Sequence, residues 1–268
     1  MAPVVGIHMD NVRYMTREGI AKFDLEARLG VVDKDSSLAN TGARIANHMA
    51  IESSSPLLTD EGLATPCHHC VTQETASGVD SIYVGFSYTA ARLLNCFDVT
   101  FTIVRTSFPP RINVNYVESC FLFAVARWHG AGISIRQARP DENATFVIAY
   151  QDIPATGRNL RTLASAFFPS SAPRDRVLFV YGRCFWPRYI GFMTNVLSHE
   201  IGHVLGLRHE FLESPRSMLI GRPNPDSVMN YHQDLSMMAV TLEDAKGARV
   251  FYSLQGRVGS WRIVTVQP

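Results

Sequence analysis

The sequence predicts a mixed α/β fold whose last helices carry a metal-binding pattern of histidines. Short apolar runs rich in β-branched residues recur between positions 99 and 181, and residues 114–128 have apolar side chains at helical spacing. A second helical stripe, at 196–205, overlaps the histidines. Strands that alternate with helices form a sheet with helices packed on its faces. With 46% hydrophobic residues in a chain of 268, the sequence can bury such a core.

The chain divides into an N-terminal section, residues 1–80, and a domain at 81–268. In the first section, helical patterns cover Thr16–Leu29 and Ser37–Ile51, and a Ser/Pro/Gly-containing linker follows. In the domain, a final helix opens at Thr241 as the N-cap, with Asp244 at the capping-box position in place of Glu, and we expect Val250, Phe251 and Leu254 to pack inward. The other predicted elements are a helix at Val114–Trp128 and strands at Val99–Val104, Ile133–Gln137, Thr145–Tyr150 and Arg176–Tyr181.

One stretch has the spacing of a zinc site. His199 and His203 lie four apart, so on a helix both imidazoles face one point. Glu200 lies one step round the helix, where it cannot chelate beside them but can act as a general base. Gly206 can adopt a positive φ and end the helix, which returns His209 to the same metal. Three nitrogen ligands leave a position open, as is typical of catalytic zinc.

The alternative is an amphipathic core helix whose histidines are merely hydrogen-bonded. The full pattern HExxHxxGxxH is expected by chance in only a few in 10⁵ chains of roughly this length. The apolar stripe Val196, Leu197, Ile201, Val204 and Leu205 also places the motif on a partly buried helix, where a ligand set needs to be.

The stretch HEIGHVLGLRH, followed by Ser-Val-Met-Asn-Tyr at 227–231, resembles the metzincin clan of zinc endopeptidases. It is most similar to astacin- and serralysin-like compact metallopeptidases of fungi. The resemblance implies a zincin fold: a twisted mixed sheet with an antiparallel edge strand, an active-site helix and a C-terminal helix. It also implies that Met229 forms the Met-turn below the metal and that Tyr231 approaches the zinc and stabilises the oxyanion.

Residues Thr162–Pro169 resemble the clan's edge strand, which pairs with substrate backbone. Pro169 suits the end of an edge strand. A peptide that adds itself there would satisfy its own backbone groups while its side chains enter pockets. The alternative is an ordinary edge strand, and we expect core packing for Phe167 and Phe168. The predicted substrate-binding residues are Leu163, Ala164, Ser165 and Ala166.

The resemblance implies a zinc-dependent endopeptidase with one catalytic zinc ion. His199, His203 and His209 are the implied ligands, Glu200 the general base and Tyr231 the oxyanion partner, without a covalent intermediate. One alternative is a catalytically silent metzincin-fold protein that binds a partner through the same cleft, although neither Glu200 nor a ligand is lost. A structural zinc protein is disfavoured because the histidines leave a coordination position open.

The five cysteines are an odd number, so at least one thiol is free unless an intermolecular bridge forms. The Cys67-His68-His69-Cys70 cluster could chelate a metal, cycle between redox states or form a short bridge. Many metzincins are zymogens in which an upstream Asp or Cys occupies the open zinc position, so Asp60, Cys67 and Cys70 are candidates for a prosegment ligand. The clan's known switch sequences are absent, which favours a structural or disordered extension.

The composition also limits the partners. A net charge of +1 argues against nucleic acid or an anionic membrane as a required partner. No apolar run reaches transmembrane length, and no signal peptide is visible. The protein is then intracellular, exported by another route, or incomplete at its start. We expect a monomer that acts on a peptide or protein substrate.

Overall fold

The computed structural model describes residues 68, 70, 72, 83–94, 98–153, 161–209 and 217–267. The helices predicted at Thr16–Leu29 and Ser37–Ile51 lie outside the described residues, as do Asp60, Cys67 and the boundary near residue 80. The strands are β1 (Tyr83–Val84), β2 (Thr89–Leu93), β3 (Val99–Ile103), β4 (Ile135–Gln137), β5 (Phe146–Gln151), β6 (Ala164–Ser165), β7 (Val177–Tyr181), β8 (Leu207–Arg208), β9 (Met218–Leu219), β10 (Arg257–Val258) and β11 (Trp261–Val266). The α-helices are α1 (Val114–Arg127), α2 (Pro187–Ile190), α3 (Met193–Val204) and α4 (Leu242–Ser253).

The largest sheet has the strand order β4-β3-β5-β7-β6. Strands β3, β4, β5 and β7 are parallel, and every residue of β3 is buried, as expected for a parallel strand covered on both faces. Strand β6 lies at the edge and pairs antiparallel with β7, with Ala164 opposite Val180. The predicted mixed α/β class and the antiparallel edge strand are therefore confirmed.

The described residues also form two smaller sheets. The first has the order β8-β1-β9, and the second β10-β11-β2. Strand β8 is the segment between the end of α3 and His209, so its pairing with β1 helps to fix where that histidine lies.

Helix α1 packs against α3, the helix that carries His199 and His203. Asn113 caps α1 by accepting hydrogen bonds from the backbone amides of Asn115 and Tyr116, and Val117 and Phe121 are buried as the helical pattern predicts. Just after α1, the buried Trp128 donates its Nε1–H to the Ser198 carbonyl of α3 at 2.8 Å. This bond joins the two helices one residue before the first histidine.

Helix α4 begins with the predicted capping box between Thr241 and Asp244. Phe251 is buried and Leu254 packs against the core, as expected. The prediction that Val250 packs inward is wrong, since its side chain is 48% exposed. Neighbouring positions on a helix point about 100° apart, so Val250 faces solvent when Phe251 faces the core. No described helix is long and apolar enough to span a membrane.

Candidate metal centre

The chain reverses after α3 at Gly206. Its φ is +92°, and its amide donates to the His203 carbonyl at 2.9 Å while Leu205 donates to Ile201 at 2.9 Å. A Cβ at Gly206 would lie 2.7 Å from the Ala91 carbonyl oxygen, so the position excludes side chains on both conformational and steric grounds. The turn leads directly into β8 and returns His209 to the helix, as the sequence predicts.

Three imidazoles converge at this point, and all are fully buried. The Nε2 atom of His209 lies 3.1 Å from that of His199 and 3.2 Å from that of His203. The Nδ1 atoms of His199 and His203 lie 2.7 and 2.8 Å from the carbonyl oxygens of Val228 and Leu207. A carbonyl only accepts, so each Nδ1 carries the proton and each Nε2 presents a lone pair.

This arrangement suits a bound cation. If His209 carries its proton on Nε2, that proton can form a good hydrogen bond to only one of the other two Nε2 atoms. The lone pairs of the remaining two nitrogens then face each other, which is unfavourable unless a positive ion lies between them. Burial, followed by the neighbouring His203, lowers the pKa of His199 to about 3, and burial lowers the pKa of His203 to about 4. Burial likewise lowers the pKa of His209 well below its usual value. The imidazoles are therefore neutral at physiological pH, the form that binds metals.

The segment predicted to form the Met-turn, residues 227–231, packs against α3. Met229 is fully buried, and a Cβ added to Gly202 would overlap its sulfur, so the helix approaches the methionine closely. The preceding residue, Val228, supplies the carbonyl that orients His199. The turn therefore packs closely against α3 at Gly202 and fixes the orientation of His199.

Asp244 of α4 anchors this turn. Its Oδ1 accepts from the Ser227 hydroxyl at 2.5 Å, and its Oδ2 accepts from the amides of Val228 at 3.0 Å and Thr241 at 2.7 Å. The sequence indicated Asp244 only as a helix cap. Its second role joins segments far apart along the chain, which local spacing does not reveal.

We expect Asp244→Ala to lower the free energy of unfolding by roughly 2 to 4 kcal/mol, because it leaves several buried donors unpaired. Metal affinity should also fall, since the turn that orients His199 loosens. Chemical denaturation and metal titration measure the two effects. Glu243→Ala, which changes an exposed acidic residue in the same helical turn, is the matched control. Equal stability of the two variants would contradict the anchoring role.

Glu200 is buried, and side chains from the N-terminal section hold it. His68 Nε2 lies 3.1 Å from Glu200 Oε1, and the Thr72 hydroxyl donates to Oε2 at 3.1 Å. His68 Nδ1 accepts a hydrogen bond from the Leu163 amide at 3.3 Å. The ring proton is therefore on Nε2, which donates a hydrogen bond to Glu200 Oε1. Burial acts to raise the pKa of Glu200, but the bond from His68 and the nearby imidazoles outweigh it and bring the pKa to about 2.

Cys70 lies next to the histidine cluster. Its Sγ is 3.4 Å from His203 Nε2 and accepts from the Thr72 amide at 3.3 Å. The possible ligand atoms of Cys70, His199, His203 and His209 all lie within 4.8 Å of one another. Burial, and then the charge of Glu200, raise the pKa of the Cys70 thiol well above its usual value in the absence of a metal.

A second group of possible ligands overlaps the first. It consists of His68, Cys70, His199 and Glu200, again with ligand atoms within 4.8 Å of one another. These buried residues could hold a metal ion. Of the three residues proposed as a prosegment ligand, Cys70 is the one within the described part of the chain, and it lies beside the histidines. The roles of His68 and Thr72 were missed, although the His-His pair before Cys70 was a signal.

Residues 68–72 also contact the predicted substrate-binding strand. Leu163 donates its amide to His68, and Ala166 donates its amide to the Thr72 hydroxyl at 2.8 Å. The side chain of residue 68 therefore lies next to residue 163, and that of residue 72 lies next to residue 166. Of the remaining predicted substrate-binding residues, Ala164 and Ser165 are buried in β6, and the Ser165 hydroxyl lies 2.7 Å from that of Tyr181.

Tyr231 lies at the other side of the cluster. Its hydroxyl donates to the Cys70 carbonyl at 3.0 Å, and its ring centre is 4.9 Å from that of His209. Burial, followed by the nearby Cys70 and Glu200, raises the pKa of its phenol, which therefore stays protonated as a donor. The three predicted zinc ligands, Glu200 and Tyr231 thus come together within one cluster, joined by three residues from the N-terminal section.

The chain was compared with known proteins. No family model matches it, and no curated protein is similar enough to count as a relative.

Proposed function

We propose that this chain is a zinc-dependent endopeptidase of the metzincin type, held in a latent form by residues 68–72. The observation that carries the proposal is the meeting of three imidazole Nε2 atoms beside the buried carboxylate of Glu200. The helix-turn-strand geometry around Gly206, the methionine below the helix and the antiparallel edge strand support the same class.

The donor set fits zinc. Zinc–nitrogen bonds of about 2.0 to 2.1 Å in a tetrahedron separate the nitrogens by about 3.3 Å. The observed separations of 3.1 and 3.2 Å are close to this value. Carbonyl contacts to Nδ1 of His199 and His203 fix the ring orientation, as is usual around metal ligands. When bound, zinc would polarise a scissile carbonyl and lower the pKa of a water molecule.

Glu200 would accept the proton of the attacking water and pass it to the leaving amine. In the present conformation its lone pairs are engaged by His68 and Thr72. Departure of residues 68–72 would remove the hydrogen bond from His68, which lowers the pKa of Glu200. Much of the surrounding protein, whose burial of Glu200 raises that pKa, would remain. The pKa would then rise toward the range in which a carboxylate works well as a general base.

Tyr231 and the edge strand would position the substrate. The phenol already donates to one peptide carbonyl, that of Cys70, so a substrate carbonyl at this point would find the same donor. The amides of Leu163 and Ala166 now donate to side chains of residues 68 and 72. An extended peptide that replaced this segment could accept the same bonds with its backbone.

Latency follows from the same contacts. Cys70 supplies a sulfur where a fourth ligand is needed, and His68 and Thr72 engage the general base. His68 and Thr72 also take up the amides of Leu163 and Ala166, which a substrate backbone would otherwise use.

A structural metal site is the second candidate. The set formed by Cys70 with the three histidines has four ligands and is closed, which is typical of structural zinc. The buried Glu200 argues against it, because burying a carboxylate costs stability even when side chains donate hydrogen bonds to it. A general base beside the metal gives this carboxylate a reason to be there.

Metal analysis together with peptide-library cleavage tests the proposed function. We expect purified full-length chain to contain about one equivalent of zinc, and we expect the Cys70→Ala chain to cleave library peptides in a chelator-sensitive manner. Absence of zinc would overturn the proposal. Zinc without cleavage, accompanied by a large loss of stability on chelation, would favour the structural site. Zinc with peptide binding but no cleavage would favour a silent binding protein.

A further inference from the structure

A second feature lies beside the metal centre. Strand β8 carries Arg208 immediately before His209, and successive strand residues point to opposite faces. Because His209 turns to the metal, Arg208 points away from it into a surface pocket of about 230 Å³. The pocket is lined mainly by Phe86, Thr89, Phe168, Pro169, Gly206 and Arg208.

Arg208 is half-buried beside two aromatic rings. Its guanidinium carbon lies 5.0 Å from the ring centre of Phe168 and 5.5 Å from that of Phe86. Among the described residues, its buried Nε has no hydrogen-bond partner and no carboxylate forms an ion pair with it. By contrast, Arg105 and Arg136 pair with carboxylates at 2.8 and 2.6 Å. A partly desolvated cation without an anion is costly unless a ligand supplies one.

The wall of the pocket is a strained hairpin turn. Phe86 and Thr89 exchange backbone hydrogen bonds of 2.8 and 3.1 Å across a two-residue turn, in which Ser87 and Tyr88 have φ values of 49° and 64°. Such turns favour Asn-Gly, and other residues at positive φ are strained. The turn holds Phe86 in an exposed position, 52% accessible, beside Arg208.

The pocket adjoins the proposed catalytic centre. The Phe168 ring that contacts Arg208 also lies 5.3 Å from the ring of the metal ligand His203. Phe168 follows shortly after β6, so the pocket lies at the C-terminal end of the edge strand. Phe168 was expected to pack in the core, but it is half-buried and separates the pocket from the metal ligands, whereas Phe167 packs in the core.

We propose that this Arg208 pocket binds a carboxylate of the peptide substrate, from an Asp or Glu side chain or from the chain terminus. This inference rests on the proposed function and names the substrate class: peptides with an acidic group near the cleaved bond. A guanidinium binds a carboxylate through two parallel hydrogen bonds, and the flanking rings restrict its side chain. The carboxylate supplies the acceptors and the charge that Arg208 lacks among the described residues.

Matched peptides test the pocket. Peptides that the Cys70→Ala chain cleaves are prepared in pairs with Glu or Gln at each position around the cleaved bond, and with free or amidated C-termini. In one of these pairs we expect the acidic peptide to have a kcat/KM at least tenfold higher than that of its neutral partner, mainly because its KM is lower. The added substitution Arg208→Met should bring that ratio close to unity, and Arg208→Lys should give an intermediate ratio. Arg257→Met, at an exposed arginine on β10, is the control.

The outcomes separate the two proposals. A preference at an internal position identifies a side-chain carboxylate, and a preference for the free terminus identifies the terminal one. A ratio that Arg208→Met leaves unchanged, with zinc content intact, overturns the inference while the proposed function stands. If no peptide is cleaved, the proposed function fails, and calorimetric binding of the Glu and Gln peptides to the same variants decides the pocket. Equal binding of both peptides would then overturn it.

Discussion

Glu200→Gln should abolish most peptide hydrolysis while leaving the zinc content unchanged. Gln cannot accept the proton of the attacking water, so kcat should fall at least about a hundredfold. The three histidines and the carbonyls that orient two of them are untouched, so metal binding should persist. The amide also preserves the size of the side chain, and its one carbonyl oxygen can still accept the hydrogen bond from His68.

The comparison is best made in the Cys70→Ala chain, where the bound segment does not mask the chemistry. Steady-state kinetics on one cleaved peptide and metal analysis of the same sample give both quantities. Glu118 is a partly buried residue of α1 whose carboxylate pairs with Arg105. Its neutralisation in Glu118→Gln controls for a general loss of charge. Turnover retained by the Glu200→Gln chain would remove Glu200 from the mechanism.

The histidine cluster could be predicted because its geometry is set locally. Four-residue spacing on α3 and a positive φ at Gly206 fix the positions of His199, His203 and His209. The main-sheet strands could be predicted for a similar reason, since apolar runs bounded by turn residues mark them. The antiparallel edge strand followed from a resemblance, because β6 is only two residues long in the structure.

The contacts that close the site could not be predicted in the same way. His68, Cys70 and Thr72 reach Glu200 and His203 across about 130 positions of sequence, and no periodicity relates such distant residues. Cys70 could be suggested only as one of several alternatives. The role of Arg208 was not predicted, because it lies within the histidine motif and the predicted zinc ligands on either side of it already explained that segment. The strand alternation that turns it away from the metal becomes visible only once β8 is known.

Cys70→Ala should raise the peptidase activity of the full-length chain. Removal of the sulfur deletes the fourth possible ligand, but His68 and Thr72 still engage Glu200 and the amides of Leu163 and Ala166. Release should therefore be partial, and we expect kcat/KM to increase roughly ten- to a thousandfold because the open population grows. Adding His68→Ala should increase activity further, since the bond to the general base is also lost.

The same variant distinguishes latency from a structural metal site. If Cys70 is one of four structural ligands, its loss should lower zinc affinity and thermal stability and produce no activity. If it blocks an open position, zinc should remain on the three histidines while activity rises. Cys120→Ala, which removes a buried free thiol on α1, should leave activity near that of the unaltered chain. Activity equal to that of the Cys120→Ala chain, with full zinc and cleavable peptides present, would show that Cys70 does not restrain the enzyme.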